Sequence, residues 1–536
     1  MASQHHTPSS TTSSRGLAGL PAELIVAVAS HLPNRDRKSL RLTCTSFGQR
    51  VLLRIDRVFL SASPLDIEVF KAVADHGTYR KRVTELIWDD ACLTMPPTPP
   101  RAYQCESRKQ HIEPFWQQWF EDACKKNLEE AKYRKGYDVS RADHAARARW
   151  MAAQPPADEL WEQYKDLLAQ QYEILDTNDD ALALEYGLSR FPSLRKITLT
   201  PATHGAPFTP LYQTPMIRAL PYGFNYPMPR GWPSNEEYER VTINEWPTEC
   251  EDEVHEKNKW RGFRILTRTL ARIDHNVSEF VIDVGLLNTG LNGHIFDAPC
   301  KEYADLFTLL RKPGFRRVDL ALLVGGQHRQ GWLAFRNGQL QRALGSAADL
   351  EHVSLVTNAH YEHVCYDWED NTDEHFVPLR SIFPADKWPK LRHFGLSGFI
   401  VRLSDVVSLL AALPPTLRSV ELSFLHFQDE HGSHRELLQA MRDTLGWRER
   451  AVGNRPKVIM GWHPMGMCMG SGRAIWIDDE VNAFIYEKGN NPFLGTHPDG
   501  LYQGGTERDV FEPAHERPYA DIHALEQLGI VTFGGN

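Results

Sequence analysis

A chain of 536 residues exceeds a single domain of roughly 100–200 residues and carries apolar material for several cores, which excludes a small disulfide- or metal-stapled module. Sixty Lys plus Arg against 69 Asp plus Glu give a formal charge of −9; with 42% hydrophobic and 24% charged residues this is an ordinary globular composition without the basic footprint of a nucleic-acid binder. The eight cysteines (44, 92, 105, 124, 250, 300, 365 and 468) are scattered with no CxxC pair, which predicts reduced thiols, no disulfide framework and no zinc site.

Residues 1–16 are dominated by Ser, Thr, His and Gln and lack an apolar stretch, so a disordered tail is expected rather than a secretory signal. Apolar stretches farther on, such as 20–32 and 318–325, are too short or too interrupted for the roughly 20 residues of a spanning helix. No membrane partner is expected, and the chain is assigned to the cytoplasm or nucleus. Residues 17–60 then read as three short helices. Pro21 suits a first helical position, and Leu24, Val28 and Leu32 line one face with Ile25 and Ala29 beside them. Pro33 and Asn34 stop this helix; Asp36 can cap a second, carrying Leu40, Cys44 and Phe47, and a third follows through Val51 and Leu52. So small a core needs another surface against it.

These residues also carry a family resemblance. Leu20-Pro21-x-Glu23-Leu24-Ile25, Leu32-Pro33, Asp36 and Leu40-Arg41-Leu42-Thr43-Cys44-x-x-Phe47 resemble the F-box, the segment by which substrate receptors bind the Skp adaptor of cullin-based ubiquitin ligases. The run from Arg57 through Leu65-Asp66-Ile67-Glu68-Val69-Phe70 to Leu86-Ile87-Trp88-Asp89-Asp90 is similar to the stretch that follows the box in many filamentous-fungal F-box proteins. The resemblance implies that Leu20, Pro21, Leu24, Ile25, Leu32, Pro33 and Leu40 form or support the adaptor-facing surface. Plain internal packing is the other reading of each, because an amphipathic helix does not say which apolar neighbour it meets. Arg37 stands where the family usually has an apolar residue, and Phe47 where Trp is common.

Beyond residues 61–93, the prolines at 96, 97, 99 and 100 break regular structure and open a linker and helical insert over 94–190, with helical spacing at 115–135 and 158–186. An apolar beat at positions one, four and six appears first within 61–93 and recurs through an expected solenoid over 191–463. It starts at Val83, Leu194, Val277, Phe315, Leu350, Leu391 and Leu417; five of the seven starts are followed directly by a charged residue. Helical stretches at 303–310, 332–344, 404–413 (with Ser404 as its cap) and 435–447 lie between. Strand, loop, helix, loop at this interval is a leucine-rich-repeat-like β-α coil, but the spacing is irregular and mostly wider than the roughly 20–29 residues of a regular repeat. A general α/β domain whose strands share an apolar beat is the alternative. Prolines mark 201–258 as mostly loop, and 464–536 is a Gly/Pro-rich terminal region whose last fifty residues are expected to be poorly ordered or draped over the surface. The fold class is thus α/β: a three-helix F-box module followed by an irregular solenoid with helical and proline-rich inserts. Side chains between the apolar strand positions, Lys196, Asp319, Ser354, Gly395 and Glu421 among them, are candidates for a concave face of mixed chemistry.

Catalytic motifs are weak. Asp89-Asp90, Asp179-Asp180 and Asp478-Asp479-Glu480 are adjacent carboxylates of the kind that usually face solvent. The segment from Gly461 to Gly472 lacks the Lys-Ser/Thr of a phosphate loop and reads as a Met-rich turn, and the pairs His360/His363 and His431/His434 lack an HExxH frame. No catalytic residue, metal or cofactor is expected. The resulting expectation is a non-catalytic substrate-recognition subunit that binds a Skp-type adaptor, through it a cullin, and an unidentified target protein. A non-degradative F-box scaffold or a leucine-rich-repeat interaction module is the alternative.

Overall fold

A computed structural model describes residues 17–99, 112–135, 142–234, 243–246, 254–325, 331–359, 376–428, 430–462, 472–493 and 504–519. The tail 1–16, the His360/His363 pair, Cys105, Cys250, Cys365, Cys468 and most of the Met-rich turn lie outside these residues. The chain falls into two compact units, 1–57 and 58–536.

In the first unit, α1 (Ala22–Ser30), α2 (Asn34–Thr43) and α3 (Thr45–Arg50) follow one another with prolines just before the first two. Pro21 and Pro33 are the N-cap residues, one position earlier than a first helical residue, and Asp36 lies in the first turn of α2, where its charge opposes the helix dipole. The buried core is Ile25, Ala29, Phe47 and Val51, with Leu20, Leu40 and Cys44 packed against it. The buried stripe of α1 is therefore rotated from the expected one: Ile25 and Ala29 face inward, while Leu24 and Val28 are 51% and 44% exposed. Arg37 is buried and donates to three carbonyls, Leu32 O (2.8 Å), Leu52 O (3.1 Å) and Ser30 O (3.1 Å). It satisfies the orphaned end of α1 and ties it to the chain after α3. Arg37→Ala is expected to cost about 2 kcal/mol, read as faster amide hydrogen exchange confined to residues 22–54 of the full chain; unchanged exchange there would show that these bonds do not hold the module.

The second unit is built on a sheet of ten strands, ordered β1 (Arg57–Leu60), β2 (Glu85–Asp89), β3 (Lys196–Thr200), β4 (Glu279–Ile282), β6 (Arg317–Leu323), β7 (His352–Thr357), β8 (His393–Ser397), β10 (Ser419–Ser423) and β12 (Lys457–Ile459), with β5 (Leu291–Asn292) beside β6. From β2 to β12 every pairing is parallel and each strand pairs with the next along the path. Parallel neighbours require a crossover. After α4 (Pro64–Asp75), between β1 and β2, helices α5 (Ile112–Lys135), α6 (Ala142–Ala152), α7 (Ala157–Thr177) and α8 (Asp179–Leu188), then α9 (Pro215–Ala219), α10 (Val254–Lys257) and α11 (Arg261–Arg272), then α12 (Lys301–Leu310), α13 (Leu333–Arg336) and α14 (Gln339–Gly345), α15 (Leu403–Ala412) and α16 (His434–Thr444) supply most of them.

The apolar beat falls in register across this sheet. Leu86, Ile197, Phe280, Val318, Val353, Phe394 and Val420 form one continuous cross-strand row, every member at most 1% exposed. Val458 of β12 extends the row; its unit escapes the sequence pattern because the first position is Arg455. Trp388, Leu306, Leu340, Leu409 and Leu437, from the intervening segments, are buried as well.

The inserts are shaped largely as expected, with specific differences. The helix expected over 158–186 is two helices, α7 (Ala157–Thr177) and α8 (Asp179–Leu188), because Asn178 adopts φ 57 and breaks the run. Ser404 lies inside α15, whose N-cap is Arg402, whereas Ser433 caps α16 by accepting from Glu436 N. Residues 201–234 are mostly loop around α9 (Pro215–Ala219) and are nonetheless packed: Phe224 and Tyr226 join Phe120 and Cys124 of α5 (Ile112–Lys135) and Trp161 and Tyr164 of α7 in one core. The terminal region is not simply draped. Residues 504–519 form β15 (Thr506–Asp509) and β16 (Glu516–Pro518), which complete an antiparallel sheet with β13 (Gly461–Trp462) and β14 (Arg473–Trp476).

Candidate functional site

Of the seven residues implied for the adaptor surface, Pro21, Leu24 and Pro33 are exposed, Leu20, Leu32 and Leu40 are half-buried, and Ile25 is buried. The packing separates them into two groups. Ile25, Leu20 and Leu40 build or flank the small core, while Leu24 stands outside it together with Val28 (44% exposed), which lies one helical turn on. Val26 and Leu42 are also exposed. Large apolar side chains left uncovered on so small a module are the feature that needs a partner.

The second surface is the open face of the parallel sheet. Its first row runs Glu85, Lys196, Glu279, Arg317, His352, His393, Ser419 and Lys457 in register. Adjacent parallel strands lie about 4.8 Å apart, so the alternation Glu, Lys, Glu, Arg places opposite charges side by side. Lys196 Nζ is 2.9 Å from Glu85 Oε1, and Thr198 donates to the same oxygen at 3.0 Å. The next row carries Asp319, Ser354, Gly395 and Glu421. Burial alone would raise the Asp319 carboxyl, but the bond to His352 Nε2 at 3.0 Å and the Arg317 guanidinium hold it below the usual carboxylate range. His352 and His393 stack at 4.0 Å, and burial, helped by His352, pushes His393 down to about 3. All five positions named as strand candidates, Lys196, Asp319, Ser354, Gly395 and Glu421, therefore stand on the two rows of one polar strip. Its Glu85, Glu279, Arg317, His352 and His393 were not singled out from sequence, although they occupy the third position of the same apolar beat.

At the carboxyl ends of β2 and β3 lies a third, buried centre. Asp89 and Asp90, expected to face solvent, are 4% and 9% exposed; Asp180 and Asp478 are likewise buried. Asp180 pairs with Arg261 at 2.5 Å, and Asp478 accepts from Met460 N at 3.0 Å. Asp90 accepts from Trp232 Nε1 at 2.7 Å and from Gly262 N at 2.9 Å, in the first turn of α11 (Arg261–Arg272). Burial raises its carboxyl to about 6 in spite of these bonds, and burial raises Asp89 well above the usual range. His204 Nε2 lies 3.8 Å from Asp89 Oδ2, and His204 Nδ1 is hydrogen-bonded to the Tyr226 hydroxyl at 2.7 Å. Burial depresses His204 to about 3, so at neutral pH this imidazole is uncharged and each ring nitrogen is a single donor or acceptor. The sequence signal for this centre was the paired aspartates at a strand end; burial by the distant proline-rich loop was invisible in it.

Among the described residues no helix is long and apolar enough to cross a membrane, and no group of three or more His, Cys, Asp or Glu side chains is placed to hold a metal ion. Comparison of the chain with protein-family models and with characterised proteins gives no match.

Proposed function

We propose that the chain is a target-recruiting subunit of a Skp-cullin-F-box ubiquitin ligase, in which the N-terminal helices dock on the adaptor and an irregular leucine-rich-repeat-like solenoid presents the polar strip to a target protein. The observation that carries this reading is the exposure of Leu24 and Val28 on a helical module whose own core is only four buried residues. An apolar pair one turn apart on a helix fits a hydrophobic groove on a partner. The in-register strip supports the second half: alternating charges flanked by neutral side chains give a surface that discriminates targets by local complementarity. In this reading the subunit supplies no reacting group; it raises the effective concentration of a target beside a ubiquitin-charged partner.

The test is direct binding of the full chain to a purified Skp-type adaptor. Leu24→Asp/Val28→Asp is expected to weaken binding at least about tenfold, since each substitution buries a carboxylate against an apolar groove, while hydrogen exchange in residues 22–54 stays as in the parent. Failure of the parent chain to bind the adaptor, or equal binding by the double variant, overturns the docking. Deletion of residues 17–60 with unchanged turnover of captured targets would instead favour a non-degradative scaffold.

A further inference from the structure

A cavity of about 170 Å³ opens beside the His204 centre, between the proline-rich loop and α6 (Ala142–Ala152). At about 10–15 Å³ for a single water, this is far more than a structural water needs. The floor is polar and buried: His204, Asn225 and Tyr226 are 2%, 2% and 8% exposed. The walls are aromatic. Trp150 meets Phe208 edge-on at 5.0 Å and lies nearly parallel to Tyr222 at 6.1 Å, and Phe224 leans on Tyr226 at 5.4 Å. Tyr222 is 65% exposed at the rim, so the aromatic surface runs from solvent to the floor.

Two observations separate this cavity from a packing defect. The Trp150 indole nitrogen is shielded from solvent and, among the described residues, has no hydrogen-bond partner, a group that native structures rarely leave unsatisfied. Phe208 holds φ 63, a left-handed conformation that costs a bulky residue roughly 1–2 kcal/mol and collects at ligand-binding sites. Gly223, at φ +87, lets the loop press on the end of α6: a Cβ there would lie 2.5 Å from Ala153 O. The loop and the helix thus hold the cavity open between them.

We infer that this cavity is a binding site for a small, flat, uncharged aromatic molecule that carries a hydrogen-bond acceptor for the Trp150 N–H and reaches the Tyr226 hydroxyl with a second polar group. The chemistry follows from the lining. Among the described residues no Asp, Glu, Lys or Arg side chain lines the cavity, so a charged ligand would lose its hydration without a counter-ion from them. Aromatic faces on several sides select a ring, and apolar walls with a few converging polar groups are the general form of small-molecule sites. His204, neutral and fixed by Tyr226, orients that hydroxyl as a positioning residue. This site is independent of adaptor docking and of the polar strip.

Calorimetric titration of the full chain with coumarin, a flat neutral ring with one carbonyl, tests the inference against coumarin-3-carboxylate as the charged comparator and indole as the ring without an acceptor. Coumarin is expected to bind in the submillimolar range and the carboxylate at least about tenfold more weakly. Trp150→Phe, which keeps a ring and removes the N–H, is expected to weaken coumarin about fivefold and leave indole unchanged. Tyr222→Ala, at a position 65% exposed, is expected to weaken both rings while the urea midpoint stays near that of the parent. The inference is overturned by absence of coumarin binding, by equal affinity for the carboxylate, or by unchanged coumarin affinity in both variants.

Discussion

Asp509→Ala is expected to destabilise the second unit by about 3–5 kcal/mol, the range found when one partner of a buried ion pair is removed. Asp509 is fully buried on β15, directly across from Arg473 on β14. It accepts from Arg473 Nε at 2.9 Å and from Arg134, and its other oxygen accepts from Phe511 N at 2.9 Å. Arg134, at the end of α5, has a side chain 1% exposed. Burial lowers its guanidinium, Asp509 and Glu512 oppose that, and Arg473 adds to it, so alanine leaves two buried cations facing one another. Glu512 lies 3.8 Å from Arg134 as well as 2.6 Å from Arg147, and Glu507, held low by His515 and Arg517 against its own burial, lies 3.9 Å from Arg473; these longer contacts offset only part of that repulsion. The measurement is the urea midpoint of the second unit. The triple replacement Arg134→Met/Arg473→Met/Asp509→Leu should recover part of the loss, because it removes the two facing cations together with the carboxylate and their desolvation cost, leaving Glu512 to Arg147 and Glu507 to His515 and Arg517. A midpoint for Asp509→Ala within error of the parent would show that the cluster holds nothing together.

That cluster also marks where sequence reading stops. The apolar beat was legible because burial on one face of a parallel strand imposes apolar residues at alternate positions, and all seven units beginning at Val83 fall on paired strands in one register. Helices with long amphipathic runs, α5 and α7, were legible for the same reason at a period of 3.6. What was not legible depends on distant partners. Arg134 and Asp509 are 375 residues apart, and nothing local to the Gly/Pro-rich end of the chain shows that a buried arginine awaits it. The aspartates at 89 and 90 look like a solvated pair until Trp232 and Gly262 close over one of them. In α1 the apolar residues are continuous enough that either of two adjacent stripes could face inward; Arg37, drawing the end of the helix onto the chain after α3, accompanies the choice of Ile25 and Ala29.

The centre at the strand ends gives the second large effect, and its sign depends on pH. Asp90→Ala leaves the Trp232 and Gly262 N–H groups buried without acceptors, at roughly 1–3 kcal/mol each; the carboxylate and the first turn of α11 approach so closely that a Cβ on Gly262 would lie 2.5 Å from Asp90 Oδ1. Asp90→Asn keeps the shape and isolates the charge. In the folded chain Asp90 holds its proton up to about pH 6, whereas the ordinary value is 3.8, so between these the folded state binds more protons and stability falls as pH rises. His204 works in the opposite sense: the unfolded chain takes up its proton below 6.5 and the folded chain only near 3, so stability rises with pH across that window. Each slope is about 1.4 kcal/mol per pH unit, and from 3.8 to 6 the two oppose one another, with Asp89 adding to the carboxylate side. Urea midpoints measured from pH 4 to pH 7 should therefore separate the two groups. The penalty of Asp90→Asn is expected to shrink by about 2–3 kcal/mol as pH rises through the window, while the penalty of His204→Gln grows over the same interval. Two variants whose profiles run parallel to the parent would mean that neither group is held away from its ordinary value.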